Sequence, residues 1–379
     1  MSEKMRVGII GCGNISTTYL GLGPKFAALE FRKVADLNMD AARARAKEYG
    51  VEAVTVDELL GADDIDIIVN LTIPDAHFAV TKRILESGKH AYSEKPFVLS
   101  LEEGEELRAI CKSTGLRVGS APDTWMGGAH QAARAAIDSG KVGRITAGTA
   151  HVLSPGMQMW HPNPDYFFLP GGGPMLDLGP YYVTNLVQLL GPVRRVGALC
   201  TSANDHRTIT TPGPRAGEKI PVKTPTNIHA LLDFVSGTTI TLSTSWDVFA
   251  HRHANMELYG TEGSLFVPDP NFFGGKVEIA GRDGDIQEMQ QPAHPLGVEN
   301  ESDGDGGGQA NYRSAGLADM AQAIVEGRPH RCSLELALHV VDVMTAVLKS
   351  GETGEFVVLS TSCDRPAAVT PEDAQVLLG

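Results

Sequence analysis

The sequence predicts an α/β fold in two parts: a doubly wound parallel sheet, then an α+β domain with a large, mostly antiparallel open sheet. The chain has 379 residues, enough for two domains of about 150 residues or more. Over its first 120 or so residues, short apolar runs alternate with helical patterns, which is typical of parallel strands with right-handed crossovers. After residue 140 or so, strand-like runs succeed one another with turn residues between them.

Each element of the first part follows from its apolar period. The runs that indicate buried strands lie at 6–11, 33–37, 66–71, 89–92 and 116–118. The stretches with a helical period lie at 15–29, 40–49, 76–87 and 101–113. The pattern changes near Ala121-Pro122, and we therefore divide the chain into domains at 1–123 and 124–379.

The second part opens with a helix predicted at 128–139. Strands are then predicted at 145–153, 193–202, 227–235, 238–248, 255–259 and 264–267. Gly237 and the glycines at 260 and 263 indicate two hairpin turns, because glycine adopts positive φ at little cost. The stretch 297–309, rich in Gly, Asp and Glu, predicts a mobile loop.

Composition and charge exclude several classes of function. The formal net charge is −14, so the average field repels nucleic acids and anionic membrane surfaces, and we expect neither as a partner. No apolar run reaches the roughly 18 residues of a membrane-spanning helix, and residues 1–13 lack the order of a signal peptide. The five cysteines lie far apart without Cys-x-x-Cys pairing, so we expect a cytoplasmic protein with no metal site.

A glycine motif, GCGNIS at residues 11–16, follows the first predicted strand and opens the first helix. Glycines in this context let the backbone approach a pyrophosphate at the helix N-terminus, as in a Rossmann domain. A serine, Ser16, stands where the third glycine is usual. The motif residues predicted to hold a dinucleotide are Gly11, Gly13, Asn14 and Ile15.

The choice of dinucleotide depends on Asp36, which ends the second predicted strand 20 residues after Ser16. A carboxylate there can accept hydrogen bonds from both ribose hydroxyls of an adenosine, and it repels a 2′-phosphate. The next residues, Leu37 and Asn38, supply no arginine to compensate. We therefore predict NAD, with NADP less favoured. The alternative is that Asp36 ends its strand in solvent and Asn38 reaches the ribose.

Two further motifs carry candidates for chemistry. Glu94-Lys95-Pro96 follows the strand predicted at 89–92, at the edge where open α/β sheets bind ligands; the alternative is a solvated charged turn. Asp177 and Tyr181 come after the glycine run at 171–173. Pro180 favours a helix that begins near Asp177, which would place both side chains on one face. Alternatively, Asp177 caps the helix and Tyr181 only packs.

In order and spacing, these motifs and the segment from Thr72 through Pro74 to His77 resemble the Gfo/Idh/MocA oxidoreductase family over nearly the whole chain. The resemblance implies that residues 1–123 form an NAD-binding Rossmann domain. It also implies that the whole protein oxidises or reduces sugars and polyols. It implies a substrate-binding domain at 124–379, whose sheet forms homodimers or homotetramers. By the same resemblance, Lys95 is the catalytic lysine and Asp177 is the acidic residue of the second motif. The residues that it adds to the cofactor site are Thr72, Pro74, His77, Glu94 and Lys95.

Many family members have histidine where this chain has Tyr181. A tyrosine at this position resembles the glucose-fructose oxidoreductase and dihydrodiol dehydrogenase branches of the family. A hydride leaves a carbinol only as its hydroxyl loses a proton, so the site needs a base and a positive charge. Tyr181 and Lys95 can supply both, because a nearby ammonium lowers the pKa of a phenol. Asp177 would raise it again, and we therefore assign Asp177 to orienting the substrate.

Aromatic residues just before the glycine run suggest contacts with a sugar ring. Trp160, His161 and Tyr166 combine flat faces with polar tips, a composition suited to stacking on a sugar. Trp125 follows the domain junction and could face the nicotinamide. For Trp160, ordinary packing is the alternative. Two other functions stay open: an NAD-dependent glycosidase or oxidoreductase that cycles a tightly bound cofactor, and a catalytically silent dinucleotide or sugar sensor.

Overall fold

The computed structural model describes residues 4–302, 304 and 307–379, so residues 303, 305 and 306 of the predicted mobile loop lie outside it. The chain divides into two compact units. The first comprises 1–128, 293–341 and 366–379, and the second comprises 129–292 and 342–365. Among the described residues, no helix is long and apolar enough to cross a membrane.

This division differs from the predicted one, which assigned everything after residue 123 to the second domain. Residues 293–341 and 366–379 instead pack with the first unit. Gly119 forms an antiparallel bridge with Ser333, and the backbone N–H of Ala27 donates to the carbonyl oxygen of Leu377. Such contacts join positions hundreds of residues apart, which local periodicity does not predict.

The first unit is built on a six-stranded parallel sheet with strand order β3-β2-β1-β4-β5-β6. Its strands are β1 (Met5–Ile10), β2 (Leu29–Ala35), β3 (Glu52–Val54), β4 (Ile67–Asn70), β5 (His90–Ser93) and β6 (Val118–Ser120). Every residue of the central β4 is buried, as expected of a strand covered by helices on both faces. This is the strand order of a Rossmann domain, and it confirms the predicted parallel sheet.

The helices of both units are α1 (Asn14–Leu22), α2 (Met39–Tyr49), α3 (Val56–Leu60), α4 (Pro74–Glu86), α5 (Leu101–Thr114), α6 (Gly128–Asp138), α7 (Pro174–Asp177), α8 (Gly179–Leu190), α9 (Ala315–Glu326), α10 (Leu334–Thr353) and α11 (Pro371–Leu378). The helix predicted at 15–29 ends earlier, at Leu22, because Gly23-Pro24 turns the chain into a 3-10 helix. Neither β3 nor α3 was predicted, because both are too short to show an apolar period.

The remaining strands are β7 (Ile145–Leu153), β8 (Val193–Thr201), β9 (His206–Thr208), β10 (Lys219–Pro221), β11 (Asn227–Phe234), β12 (Thr239–Ser245), β13 (Met256–Gly260), β14 (Ser264–Val267), β15 (Glu278–Ala280), β16 (Ile286–Glu288), β17 (Glu301–Ser302), β18 (Gly308–Gln309) and β19 (Val357–Val358). Nine of them form the sheet of the second unit, in the order β16-β15-β14-β13-β7-β12-β11-β8-β19. Within it β12 and β7 pair in parallel and the other neighbours are antiparallel. The prediction of a large, mostly antiparallel sheet is confirmed.

Candidate cofactor and catalytic sites

The glycine motif forms the turn from β1 into α1, and Gly11 and Gly13 serve different purposes in it. Gly11 has φ +103°, and a Cβ there would lie 2.6 Å from the backbone carbon and oxygen of Leu71. Only glycine fits such a position without strain. Gly13 is the N-cap residue of α1, and no described atom lies within 4 Å of where its Cβ would be. The open space above a helix N-terminus fits the pyrophosphate of a dinucleotide.

Asp36 lies beside this turn, just after β2. Its Oδ2 accepts a hydrogen bond from the backbone N–H of Cys12 at 2.7 Å, and its Oδ1 accepts one from that of Asn38 at 2.8 Å. A carboxylate oxygen can accept more than one hydrogen bond, so Asp36 keeps capacity for ribose hydroxyls. The Asn38 side chain caps α2 by accepting from the N–H of Asp40 at 3.1 Å. That role favours Asp36 over Asn38 as the ribose acceptor.

An arginine that the sequence analysis did not consider approaches the same turn. Arg45 of α2 donates from Nε to the hydroxyl of Ser16 at 3.2 Å, and Ser16 in turn donates to the carbonyl oxygen of Gly13 at 2.6 Å. Burial and Asp36 raise the pKa of Cys12 to about 11, although Arg45 opposes them. The thiol therefore stays neutral. The guanidinium of Arg45 also pairs with Glu48 at 2.8 Å, so its charge is already compensated on α2.

The segment from Thr72 to His77 contacts the loop that carries Pro96 through the side chain of His77. His77 is buried, with Nδ1 2.7 Å from the carbonyl oxygen of Pro96 and Nε2 3.0 Å from that of Thr72. Burial lowers the pKa of His77, while the two carbonyl oxygens favour protonation. Pro74 begins α4. A neutral imidazole donates to one of these two carbonyl oxygens, and His77 thereby links the two loops; its place in the cofactor site stays a prediction.

Glu94 lies directly after β5 and organises the start of the charged motif. Its Oε2 accepts from the backbone N–H of Lys95 at 3.0 Å, and its Oε1 accepts from the hydroxyl of Tyr19 at 2.9 Å. Tyr19 is buried, and burial followed by the charges of Glu94 and Asp123 raises its pKa well above the usual value. It therefore remains a donor. Tyr19 was not among the predicted site residues, because no local signal links positions 75 residues apart.

Asp123 follows β6 at the same edge of the sheet and is also fully buried. Its Oδ2 accepts from the backbone N–H groups of Ser314 and Gly316, each at 3.0 Å. Burial raises the pKa of Asp123 to about 6, and Glu94 adds to the rise, while these hydrogen bonds and Arg313 oppose it. Asp123 thus anchors the segment 314–316 to the end of β6.

Trp125, which was predicted as a substrate contact, is only 1% exposed, so its side chain presents almost no surface to a ligand.

The buried carboxyl of Asp123 predicts a pH dependence of stability. The folded protein keeps the Asp123 proton up to about pH 6, whereas the unfolded chain releases it near pH 4. Because the native state binds more protons across this window, the free energy of unfolding falls as pH rises through it, by about 3 kcal/mol from this group. Asp123→Asn should remove that slope. Urea unfolding of both proteins between about pH 4 and pH 7 measures it; equal slopes would contradict the prediction.

In the second unit, a helix begins close to Asp177 as predicted, since α8 starts at Gly179 with Pro180 in its first turn. The expectation that Asp177 and Tyr181 share one helix is wrong. Asp177 ends the single turn of α7, whereas Tyr181 lies in the first turn of α8 behind the cap residue Leu178. The glycine run before them is closely packed, since a Cβ on Gly172 would lie 2.6 Å from the carbonyl oxygen of Tyr166. Both side chains are partly exposed.

The aromatic loop before the glycine run forms a continuous chain of ring contacts. Trp160 is 62% exposed, and its ring centroid lies 5.6 Å from that of His161. The rings continue through Phe167 to the buried Trp246, at 5.1 and 6.1 Å. Tyr166 contacts Phe167 edge-on and donates to the carbonyl oxygen of Gly171 at 3.1 Å. The exposed Trp160 is therefore connected through His161 and Phe167 to the buried Trp246.

The glycine turn, the carboxylate after β2 and the strand order define a dinucleotide-binding Rossmann protein, in which a charged motif follows β5. Two family models specify this class further. One, described as an oxidoreductase family with an NAD-binding Rossmann fold, matches residues 5–121; the other, the GFO/IDH/MocA C-terminal domain, matches residues 130–266. Together they cover more than half of the chain. The protein belongs to the Gfo/Idh/MocA family of NAD-binding oxidoreductases.

Individual relatives agree with this assignment. The 1,5-anhydro-D-fructose reductase of Ensifer adhaerens is 27% identical over 270 residues, 69% of this chain and 74% of that protein. Levoglucosan dehydrogenase of Pseudarthrobacter phenanthrenivorans is 25% identical over 325 residues, 78% and 82%. For several further curated relatives, the match covers less than two thirds of their length. A levoglucosan dehydrogenase structure with NADH and levoglucosan has a similar fold, with TM-score 0.79, 19% identity and coverage of 95% and 100%.

Proposed function

We propose that this protein is an NAD-dependent dehydrogenase that transfers hydride between the cofactor and a hydroxyl or carbonyl group of a sugar, sugar derivative or polyol. The observation that carries the proposal is the Glu94-Lys95 motif, held by Tyr19 at the edge of the sheet where the glycine turn and Asp36 also lie. Two relatives, named 1,5-anhydro-D-fructose reductase and levoglucosan dehydrogenase, support the substrate class.

The proposed cofactor residues act as follows. Bound NAD supplies a hydride acceptor, and NADH supplies a donor. The backbone around Gly13 and the N-terminus of α1 hold the pyrophosphate, with Asn14 and Ile15 in the first turn. Asp36 accepts from the ribose hydroxyls, and Thr72 and Pro74 shape the next loop. Glu94 fixes the backbone from which the Lys95 side chain starts.

The proposed substrate residues divide the chemistry between charge, proton transfer and orientation. Lys95 stabilises the negative charge that develops on the substrate oxygen, and Tyr181 takes or returns its proton. Tyr181 stands where many family members have histidine, and the assignment to the tyrosine-containing branch belongs to this proposal. Asp177 orients the substrate, and the face of Trp160 stacks on the sugar, with His161 and Tyr166 beside it.

A substrate screen tests the function. Purified protein with NAD and a panel of aldoses, anhydro-sugars and inositols should show NADH formation with at least one compound, followed by absorbance. Product formation without net NADH would instead favour an enzyme that cycles a tightly bound cofactor. NADH binding without turnover of any compound would favour a sensor, and it would contradict the proposal.

Cofactor choice yields a separate prediction. The Asp36 carboxylate excludes a 2′-phosphate by charge repulsion, and we expect kcat/KM for NAD to exceed that for NADP by at least about tenfold. Asp36→Ala should narrow this ratio, and adding Leu37→Arg should narrow or reverse it. The measurement is the ratio of kcat/KM for NAD to kcat/KM for NADP, determined with the same substrate for the wild type and for each variant. An unchanged ratio in Asp36→Ala would remove Asp36 from the cofactor site.

The same proposal includes assembly and location. The outer face of the nine-stranded sheet carries exposed apolar side chains at Leu199, Leu231 and Val358, on neighbouring strands β8, β11 and β19, and we assign this face to a homodimer or homotetramer. The described cysteines are all free thiols, which supports a reducing compartment such as the cytoplasm.

A further inference from the structure

A cavity of about 580 Å³ lies in the first unit and is not part of the proposed active site. It is lined by the last turns of α5, the residues leading into β6 and the first turn of α10. The motifs around Gly11, Asp36 and Glu94 follow the carboxyl ends of their strands, whereas Arg117 and Val118 stand at the amino end of β6. The cavity therefore opens at the opposite edge of the parallel sheet. Its volume is in the range of small-molecule sites.

The charge of this cavity is opposite to that of the whole chain. Three cationic side chains line it, Arg108, Lys112 and Arg117, and Glu335 is the single carboxylate among its described lining residues. The chain as a whole has a formal net charge of −14, so its average field repels anions. Glu105, although not in the lining, pairs with Arg108, so the excess of positive charge around the cavity is small. Even a small local excess in a concave surface attracts and concentrates a small anion.

The geometry holds these cations in place. Arg117 donates from Nη1 to the carbonyl oxygen of Arg328, which fixes its guanidinium at the wall. Arg108 pairs with Glu105 one turn away on α5, and Lys112 follows Arg108 one turn later on the same helix. Two cations thus lie one turn apart on α5, and the third, Arg117, lies directly before β6 in the lining of the same cavity. Arginine and lysine side chains offer charge-assisted hydrogen bonds to an anion.

The other polar lining groups add no opposing charge. Burial raises the pKa of Cys111 to about 11, so its thiol is neutral. Burial also lowers the pKa of His330, whose Nε2 lies 3.1 Å from the carbonyl oxygen of Val118. Leu116, Val118 and Leu334 also line the cavity, and of these Leu116 is the most exposed. The lining thus includes both cationic and apolar side chains.

We propose that this cavity is a second ligand site, for a small polyanion with an apolar portion. Phosphate and carboxylate groups share the required chemistry, because both accept charge-assisted hydrogen bonds from arginine and lysine. The site does not depend on the reaction proposed above, so neither proposal fails with the other.

Calorimetry with the full chain saturated with NADH tests the site, since the bound cofactor keeps the glycine turn filled. The probes are inorganic phosphate, phenyl phosphate and citrate. We expect saturable binding that weakens as salt is added, with phenyl phosphate tighter than phosphate because its ring contacts the apolar side chains of the lining. Tighter binding of citrate than of both phosphates would identify a polycarboxylate ligand, still at this site. No saturable heat from any probe would overturn the proposal.

Matched variants assign the binding to the cavity. Arg108→Gln with Lys112→Gln should weaken the probes by about tenfold or more. The control is Arg43→Gln with Lys47→Gln on α2, which removes an arginine and a lysine with the same spacing from an exposed helix face. Glu335→Gln should tighten binding about threefold, because it removes a repelling charge, and damage to the fold would not do so. Equal affinities in the cavity and control variants would overturn the assignment.

Discussion

Lys95→Ala and Tyr181→Phe are each expected to lower kcat/KM by about a hundredfold or more, because each removes a group needed as the substrate hydroxyl loses its proton. Alanine at position 95 leaves the developing negative charge without its cation. Phenylalanine at position 181 keeps the ring and its packing but cannot take or return a proton. Steady-state kinetics with the substrate found in the screen measure both losses.

The controls separate chemistry from damage to the fold. Lys82→Ala and Tyr49→Phe make the same chemical changes at positions outside the proposed site, on α4 and α2, and should leave kcat/KM within about twofold. NADH affinity, followed by fluorescence, should be unchanged in Tyr181→Phe. If either Lys95→Ala or Tyr181→Phe kept its activity within about twofold, far less than loss of an acid-base group costs, that residue would lose its assigned role.

The second large effect is expected from the glycine turn, where two alanine substitutions should act in different ways. Gly11→Ala places a Cβ 2.6 Å from the backbone of Leu71 at φ +103°, and backbone atoms cannot move aside cheaply. We expect a loss of at least about 2 kcal/mol in the free energy of unfolding. Thermal and urea unfolding without cofactor measure this loss.

Gly13→Ala is the matched variant in the same turn. Its Cβ meets no described atom within 4 Å, so the unfolding free energy should change by less than about 1 kcal/mol. The added methyl group occupies the space proposed for the pyrophosphate, and NADH should therefore bind about tenfold more weakly or worse. Wild-type affinity in Gly13→Ala would show that the cofactor does not approach this turn. Wild-type stability in Gly11→Ala would contradict the geometry given for β1 and α1.

Local patterns in the sequence determined which elements form and where the motifs lie on them. The strands predicted at 145–153 and 264–267 coincide with β7 and β14, because alternating apolar residues and turn glycines act over a few neighbouring positions. The glycine motif and Asp36 were identified for the same reason, since strand, turn and helix each leave a local signal. Apolar period also placed α5 and α6 nearly to the residue.

Tertiary structure decided which distant residues meet. The hydroxyl of Tyr19 reaches Glu94, Arg45 reaches Ser16, and Asp123 holds Ser314 from 191 positions away. Tertiary structure also decided that residues 293–341 pack with the first unit. These contacts depend on packing between elements and on the need of buried polar groups for partners. No residue along the chain signals its partner by spacing alone, because these hydrogen bonds join separate elements that only the folded sheet brings together.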